Sequence, residues 1–447
     1  MNFLTDNIRR LYGKYLIASL GSALVMSIYS FIDTIAIGQS EGPIGTAAMA
    51  VITPFYGIII FLGILCGIGG SVLMSNAKGK GSEEKGNAYF TASFLLMTIL
   101  IVIFWVAFAL LHEQIFTLFG ADQSIMPKVM EYAQWLIWFF PVFIAPTFIS
   151  SFIRNDGAPG LAMLAVIFGG CLNIFGDWFL VFPLGMGMQG AAIATVCGTS
   201  AQVLIMSSHF FKKKCGLKLV KPFQIGKAFQ KILAIGIGSS LLDLGTVFLA
   251  IIMNNQIMKY GSTTELAVYG VIATIASLFQ ALFCGVGQAI QPLVSANFGA
   301  GKKERVQSVF RMSLLTVLAL GVVFTCMGEL FPVQITKLFI AATPEVLAAS
   351  PQIFRSYFLL FLPLGITVFS TYYLQSIMCG RISMIVAVLR SIVISSISLL
   401  VLPMVLGLNG VWLAMPLSEL IVAVVALVYI KMERKRKLWQ RENGLSS

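Results

Sequence analysis

The chain has 447 residues, of which 58% are hydrophobic and only 11% charged, and its mean hydropathy is +0.91. A water-soluble domain carries roughly a quarter charged residues, so this composition excludes the soluble class and demands apolar surroundings for most of the chain. The net charge of +12 would suggest a nucleic-acid binder if the charges formed a patch, but their placement along the chain says otherwise.

Apolar runs of about 18 residues or more read as membrane helices. Twelve occur, near 13–37, 45–76, 88–112, 128–152, 159–182, 188–211, 229–258, 265–294, 307–331, 350–378, 383–406 and 410–431. The expected fold class is therefore an all-α integral membrane protein with twelve transmembrane helices. No secretory signal peptide is expected, because Arg9, Arg10 and Lys14 precede a span of full length without a small-residue cleavage site. Seven cysteines (66, 171, 197, 215, 284, 326 and 379) stand singly and mostly in apolar segments. They read as free thiols packed like small hydrophobes rather than as disulfides or a metal site.

Lysine and arginine placement sets the orientation. One side of the membrane receives the basic N-terminus, the loops holding Lys78, Lys80, Lys85 and Arg154, and the seven lysines between Lys212 and Lys231. It also receives the 302–311 and 381 loops and the C-terminal tail, 25 basic residues in all. The other side has only Lys128, Lys259, Lys337 and Arg355, while Arg390 falls inside a span. Both termini are expected to be cytoplasmic, and the basic charge is a topology signal with no role for nucleic acid.

The sequence repeats at about 220 residues. SNAKGKGSEE (75–84) matches SANFGAGKKE (295–304), AAMAVI (47–52) aligns with LAVYGVI (266–272), and PLGMGMQGAA (183–192) resembles PMVLGLNGVW (403–412). Six spans per copy make the copies parallel, related by an axis along the membrane normal, and such halves enclose a central substrate path. The expected organisation is an N-terminal six-helix lobe over 1–211, a cytoplasmic linker over 212–228, a C-terminal six-helix lobe over 229–432 and a basic tail over 433–447.

Two carboxylates lie within very apolar sequence, Asp33 in SIYSFIDTIAIG and Asp177 in NIFGDWFLVFP. A charge near the bilayer centre is disfavoured by roughly 2.5–3.5 kcal/mol on insertion scales, so such residues usually face a cavity and serve function. Asn173 and Asp177 are four apart and share a helix face. Asp33, Asp177 and Thr195 all fall roughly 9–12 Å below the outer surface at the helical rise per residue. Two acids, an amide and a hydroxyl at one depth can bind a proton or a cation that takes all-oxygen ligands. Burial and mutual repulsion disfavour two negative charges there, so the acids are expected to exchange a proton near neutral pH. The alternative is a pair of acids satisfied by backbone donors or water.

IDTIAIG after the first span, SxxxGxGxxE after the second and eighth, and NxxxD before PxxxGxxGAA together resemble the MATE family, the multidrug and toxic compound extrusion transporters, over the whole chain. Within it, the first-half aspartates resemble the DinF-type and MepA-type bacterial branch. The resemblance implies twelve helices in two lobes and cation-coupled export of amphipathic, often cationic small molecules. It also implies an N-lobe cation site at Asp33, Asn173, Asp177 and Thr195. It implies a multi-pass protein of the bacterial inner membrane among lipid, expected to be a monomer. No cofactor is expected beyond the coupling ion, proton or sodium.

Asp243, in IGIGSSLLDLGTVF, resembles an acid of the NorM-type C-lobe, but the acid that branch also carries in span ten is missing from LPLGITVFSTYYLQ (362–375). Asp243 is thus either a substrate or second cation contact or a hydrogen-bonded structural acid. Arg390 and Glu419 are expected to form a structural pair between spans eleven and twelve. The proline that often bends span one in the family is absent from YLIASLGSALVMS, where only Gly21 offers flexibility. Most of the 35 Phe and 20 Met are expected in core or against lipid, and a minority at an adaptable cavity. Tyr132, Trp135 and Trp138 read as an interfacial belt. His112 and His209 read as too peripheral for a relay. GKGSEE and FGAGKKE lack a phosphate-loop pattern, so ATP is not the expected energy source, and no catalytic cluster supports an enzyme. Two rival readings are a lipid-linked precursor flippase, which needs several basic residues in its cavity, and a membrane enzyme acting on lipids, which needs acids or histidines at the cytoplasmic face.

Overall fold

The computed structural model describes residues 3–442 except 122, 124, 214, 223 and 340–343. The side chains of 30, 31, 34, 43, 46, 47, 243, 244, 246, 247, 263, 267 and 434–442 lie outside the description. Among the described residues eleven helices are long and apolar enough to cross a membrane, and one bent pair brings the number to twelve. All the regular structure among the described residues is helical. Leu110, Leu204, Leu338 and Val405 leave more than two thirds of their surface uncovered, which only a lipid environment tolerates on this scale.

The chain divides into two compact units, the first built from 1–236 and 295–303 and the second from 237–294 and 304–447. In the first unit, α1 (Ile8–Gly79) contains two spans, Ile8–Tyr29 and Ala48–Gly79. Asn7 caps it, its Oδ1 accepting from the backbone N–H groups of Arg9 and Arg10. The arms join through Gly42, whose φ of 63° and ψ of −148° only glycine adopts without strain. Next come α2 (Glu83–Leu118), α3 (Met126–Trp138), α4 (Phe140–Asn155), α5 (Pro159–Gly176) and α6 (Gly187–Ser207). α3 and α4 together make one span bent by 57°, where Phe139 leaves the helical region and Pro141 removes a backbone donor. α5 runs into a π-helical turn, Asp177–Val181. Phe55, Phe108, Phe116 and Phe140 are fully or almost fully buried and meet edge-on or tilted, so these phenylalanines are core.

α7 (Ile225–Tyr260) begins in the first unit and ends in the second, and α8 (Thr263–Gly299) lies mostly in the second. The second unit continues through α9 (Lys303–Leu330), α10 (Pro332–Phe339), α11 (Pro344–Phe358), α12 (Phe361–Ser376), α13 (Gly380–Val388), α14 (Ile394–Leu406) and α15 (Leu408–Glu442). A π-helical turn, Leu389–Val393, joins α13 to α14. Phe279, Phe324, Phe358 and Phe361 form its aromatic core, with Phe279 and Phe324 stacked at 3.7 Å.

Candidate functional site: an acid chamber in the first unit

The first unit brings Asp33, Asn173, Asp177 and Thr195 together. Asp33 comes from the first arm of α1, Asn173 from the end of α5, Asp177 from the π-helical turn and Thr195 from α6. Glycines allow the close approach of α5 and α6. A Cβ at Gly198 would lie 2.9 Å from the Asn173 Cβ, and one at Gly176 would lie 2.7 Å from the Ala194 Cβ. Asn173 Nδ2 donates to Thr195 Oγ1 at 3.2 Å, and Thr195 Oγ1 donates to the Ala191 carbonyl at 2.9 Å.

Both acids are buried, Asp177 completely. Asp33 Oδ1, both carboxylate oxygens of Asp177 and Asn173 Oδ1 have no hydrogen-bond partner. The two carboxylates lie within each other's electrostatic field. Buried polar atoms are nearly always satisfied, and an unpaired one costs roughly 1–3 kcal/mol. Four such oxygens at one locus can receive something electropositive. Hard oxygen donors suit a proton or a small hard cation.

Tyr132 corrects the belt expected from its neighbours Trp135 and Trp138. Trp138 is indeed 73% exposed, but Tyr132 is fully buried. Its hydroxyl lies 3.0 Å from that of Tyr56 and 3.3 Å from Thr195 Oγ1, and it also faces the Asp33 carboxylate. Thr195 has already given its proton to Ala191, so it accepts from Tyr132. The single Tyr132 proton can serve Thr195 or Asp33 but not both, which makes this phenol responsive to the charge on Asp33.

Above the chamber, Glu41 ties three helices together. Its Oε1 accepts from the Met188 N–H at 3.3 Å at the N-terminus of α6, where the helix dipole favours an anion. Its Oε2 pairs with Lys128 at 3.0 Å, and Lys128 also reaches Glu131 at 3.0 Å. Gly187, with a φ of 51°, leaves the room this carboxylate occupies.

At the opposite end of the unit, just past the end of α6, His209 belongs to a second polar cluster. The imidazole is buried, and its Nε2 lies 2.8 Å from Asp156 Oδ2. Lys78 Nζ donates to Asp156 Oδ1 at 3.2 Å and to the Gly216 carbonyl at 2.8 Å, while the Gly216 N–H donates to Asp156 Oδ2 at 2.8 Å. The N–H groups of Lys218 and Val220 then bond Asn87 Oδ1 and Thr91 Oγ1, one turn apart on α2. The segment after α6 is thereby strapped to the first unit. Asp156, His209 and Cys215 place one potential metal ligand each within 4.8 Å of one another. However, Lys78, Gly216 and His209 already occupy the carboxylate, and burial raises the Cys215 thiol above its ordinary range, so the metal-binding thiolate is disfavoured. Burial alone would raise the Asp156 carboxyl, but His209, Lys78 and Gly216 together hold it below the ordinary carboxylate value. Its contribution to the strap is therefore complete above that ordinary value and is lost only as the pH falls through the lowered one.

In the second unit Arg390 and Glu419 are both buried and bonded to each other through Arg390 Nε and Glu419 Oε1. Arg390 Nη2 also donates to Gln280 Oε1 at 3.0 Å. A separate network runs from Gln291 through Gln375 to Ser239. Asp243 lies outside the described residues. Gly21 sits in unbroken helix against Met163, and the described break in α1 is at Gly42.

The sequence matches the MatE family over residues 18–179 and 226–401. It is 24% identical to the multidrug export protein MepA of Staphylococcus aureus (strain NCTC 8325 / PS 47) over 424 residues, covering 92% of this chain and 91% of that protein. Its fold superposes with a TM-score of 0.89 on a MOP superfamily transporter from Pyrococcus furiosus, at 21% identity, covering 96% and 97% of the two chains. It superposes equally on an outward-facing multidrug resistance MATE family transporter at 22% identity, again over 96% and 97%. The family match spans well over half of the chain, which accordingly belongs to the MATE family of multi-pass membrane transporters and is not an enzyme.

Proposed function

We propose that this chain is a secondary multidrug exporter of the bacterial cytoplasmic membrane. It expels amphipathic, often cationic small molecules in exchange for protons or sodium taken up by Asp33, Asn173, Asp177 and Thr195. The observation that carries this reading is the set of four unpartnered oxygens in the buried chamber. A cation bound there satisfies them, and releasing it restores two unpaired acids, which supplies the differential binding that an exchange cycle requires. Tyr132 follows this change by turning its O–H hydrogen bond between Asp33 and Thr195. The name of the Staphylococcus aureus relative supports the drug-export part. A flippase is disfavoured because Arg390, the basic residue expected inside a span, is bound to Glu419 and Gln280.

The test is transport of a fluorescent cation by purified protein in vesicles, with pH and sodium gradients imposed separately. Uptake driven by either gradient is expected, and transport driven by ATP alone, with neither gradient, would overturn the reading.

We place both termini in the cytoplasm. In a background without native cysteines, a membrane-impermeant maleimide should label Lys259→Cys in intact cells and leave Lys80→Cys unlabelled until the cells are opened. Both positions are exposed. Labelling of Lys80→Cys in intact cells would invert the assignment.

A further inference from the structure

Two polar stripes lead from the acid chamber to the His209 cluster. Along α6 and into the 3-10 turn Ser208–Phe211 that follows it, Thr195, Gln202 and His209 recur every seven residues, about two helical turns and about 10 Å per step. On the first arm of α1, Asp33, Tyr29, Ser22, Ser19 and Tyr15 recur at three-, four- and seven-residue spacings, so they share one face. Gln202, Ser22, Ser19, Tyr15 and His209 are all buried. Polar side chains repeated along buried helix faces in so apolar a chain are costly unless they are used.

The stripes meet at three levels. At the first, Tyr132 links Thr195 and Asp33. At the second, the Gln202 amide faces the Tyr29 hydroxyl, and Tyr29 in turn lies in the field of Asp33. Two adjacent glycines of α5 make this level possible: a Cβ at Gly169 would strike Gln202 Cγ at 2.3 Å, and one at Gly170 would come within 3.1 Å of the Tyr29 ring. At the third, His209 bonds Asp156, Tyr15 lies in the field of Asp156, and the Tyr15 hydroxyl donates to the Arg154 carbonyl at 2.9 Å. Between the second and third levels the Ser19 hydroxyl is 1% exposed and has no hydrogen-bond partner. His209 Nδ1 and Asn155 Oδ1 at the far end are likewise buried and unpartnered. Such atoms are normally satisfied by buried water, which also conducts protons between side chains.

We propose that these stripes are the path by which protons leave the Asp33–Asp177 pair for the cytoplasm, with Tyr29 and Gln202 as its middle station and the His209–Asp156 pair as its exit. This rests on the exporter reading with the proton as the coupling ion. Each step passes one proton along a hydrogen bond between side chain and water, so no bond other than O–H or N–H changes. The groups facing the exit are Asp156 from the α4–α5 turn, Lys78 from the end of α1, Cys215 from the strap, and Tyr15 across Asp156. Asp156 is held ionised by His209, Lys78 and Gly216, so the arriving proton rests on the imidazole.

Reconstituted protein tests this with a fluorescent cation under an imposed pH gradient. Gln202→Leu keeps the size and removes the amide, and Tyr29→Phe removes one oxygen. Each is expected to slow turnover about tenfold and to enlarge the solvent deuterium isotope effect, because proton transfer becomes the limiting step. Binding of the fluorescent cation and the thermal unfolding midpoint should match the parent. His209→Gln should also flatten the dependence of turnover on cytoplasmic-side pH. Parental turnover and isotope effect in both Gln202→Leu and Tyr29→Phe would overturn the path and leave the exporter reading standing. A parent protein driven by sodium and indifferent to pH would do the same. A parent protein that moves no cation under either gradient would overturn the exporter reading and the path with it.

Discussion

Asp33→Asn and Asp177→Asn should each abolish gradient-driven efflux while leaving folded protein at parental levels. The amide keeps the shape of the carboxylate and removes its negative charge, so neither variant can alternate between a cation-loaded and an empty acid. Asn173→Ala and Thr195→Ala remove neutral ligands only and should reduce transport without eliminating it. Stability should move the other way. Both oxygens of Asp177 are buried without a partner, and an uncompensated buried acid is a cost the folded protein carries for function. Asp177→Asn should therefore unfold at a temperature equal to or above that of the parent while failing to transport. Vesicle transport and thermal unfolding of the same preparation check the two halves together. Full resistance to toxic cations in cells expressing the Asp33→Asn, Asp177→Asn double variant would end this mechanism.

Hydropathy made the spans and the two acids legible, because a carboxylate inside a long apolar run stands out whatever the tertiary structure is. Helical rise then put Asp33, Asp177 and Thr195 at one depth, and the structure brings them together. Tyr132 was misread for a physical reason: it shares a short helix with Trp138, which is exposed, and periodicity alone does not say where a span bends. The break at Phe139 belongs to a 57° bend in that span, and Tyr132 packs inside the unit beside Tyr56 and Thr195. His209 and Asp156 were hidden because they lie 53 residues apart and sit in polar sequence that resembles ordinary loop. A signal was nevertheless present, since Thr195, Gln202 and His209 repeat at seven residues through apolar sequence. Glu41 shows the same limit. Its place at the start of α6 depends on the break at Gly42 and on the glycine conformation at residue 187, neither of which composition reveals.

Arg390 and Glu419 should behave as a pair whose halves cannot be removed singly. Arg390 is 5% exposed and Glu419 1%, so neither charge is relieved by water. Arg390 Nη1 and Glu419 Oε2 have no partner of their own, which leaves part of the desolvation cost uncompensated even with the pair intact. Arg390→Met or Glu419→Leu alone leaves a lone buried charge and should destabilise the second unit by roughly 3–5 kcal/mol. The double variant removes both charges, fills similar volume with apolar atoms and should recover most of that loss. Thermal unfolding of detergent-solubilised protein, read for both single variants and the double, gives the coupling directly. Transport by the double variant then separates the roles: a pair that is purely structural leaves drug export and its gradient dependence near the parental level. A double variant as unstable as either single would mean that the two side chains act through Gln280 and their other neighbours rather than through each other.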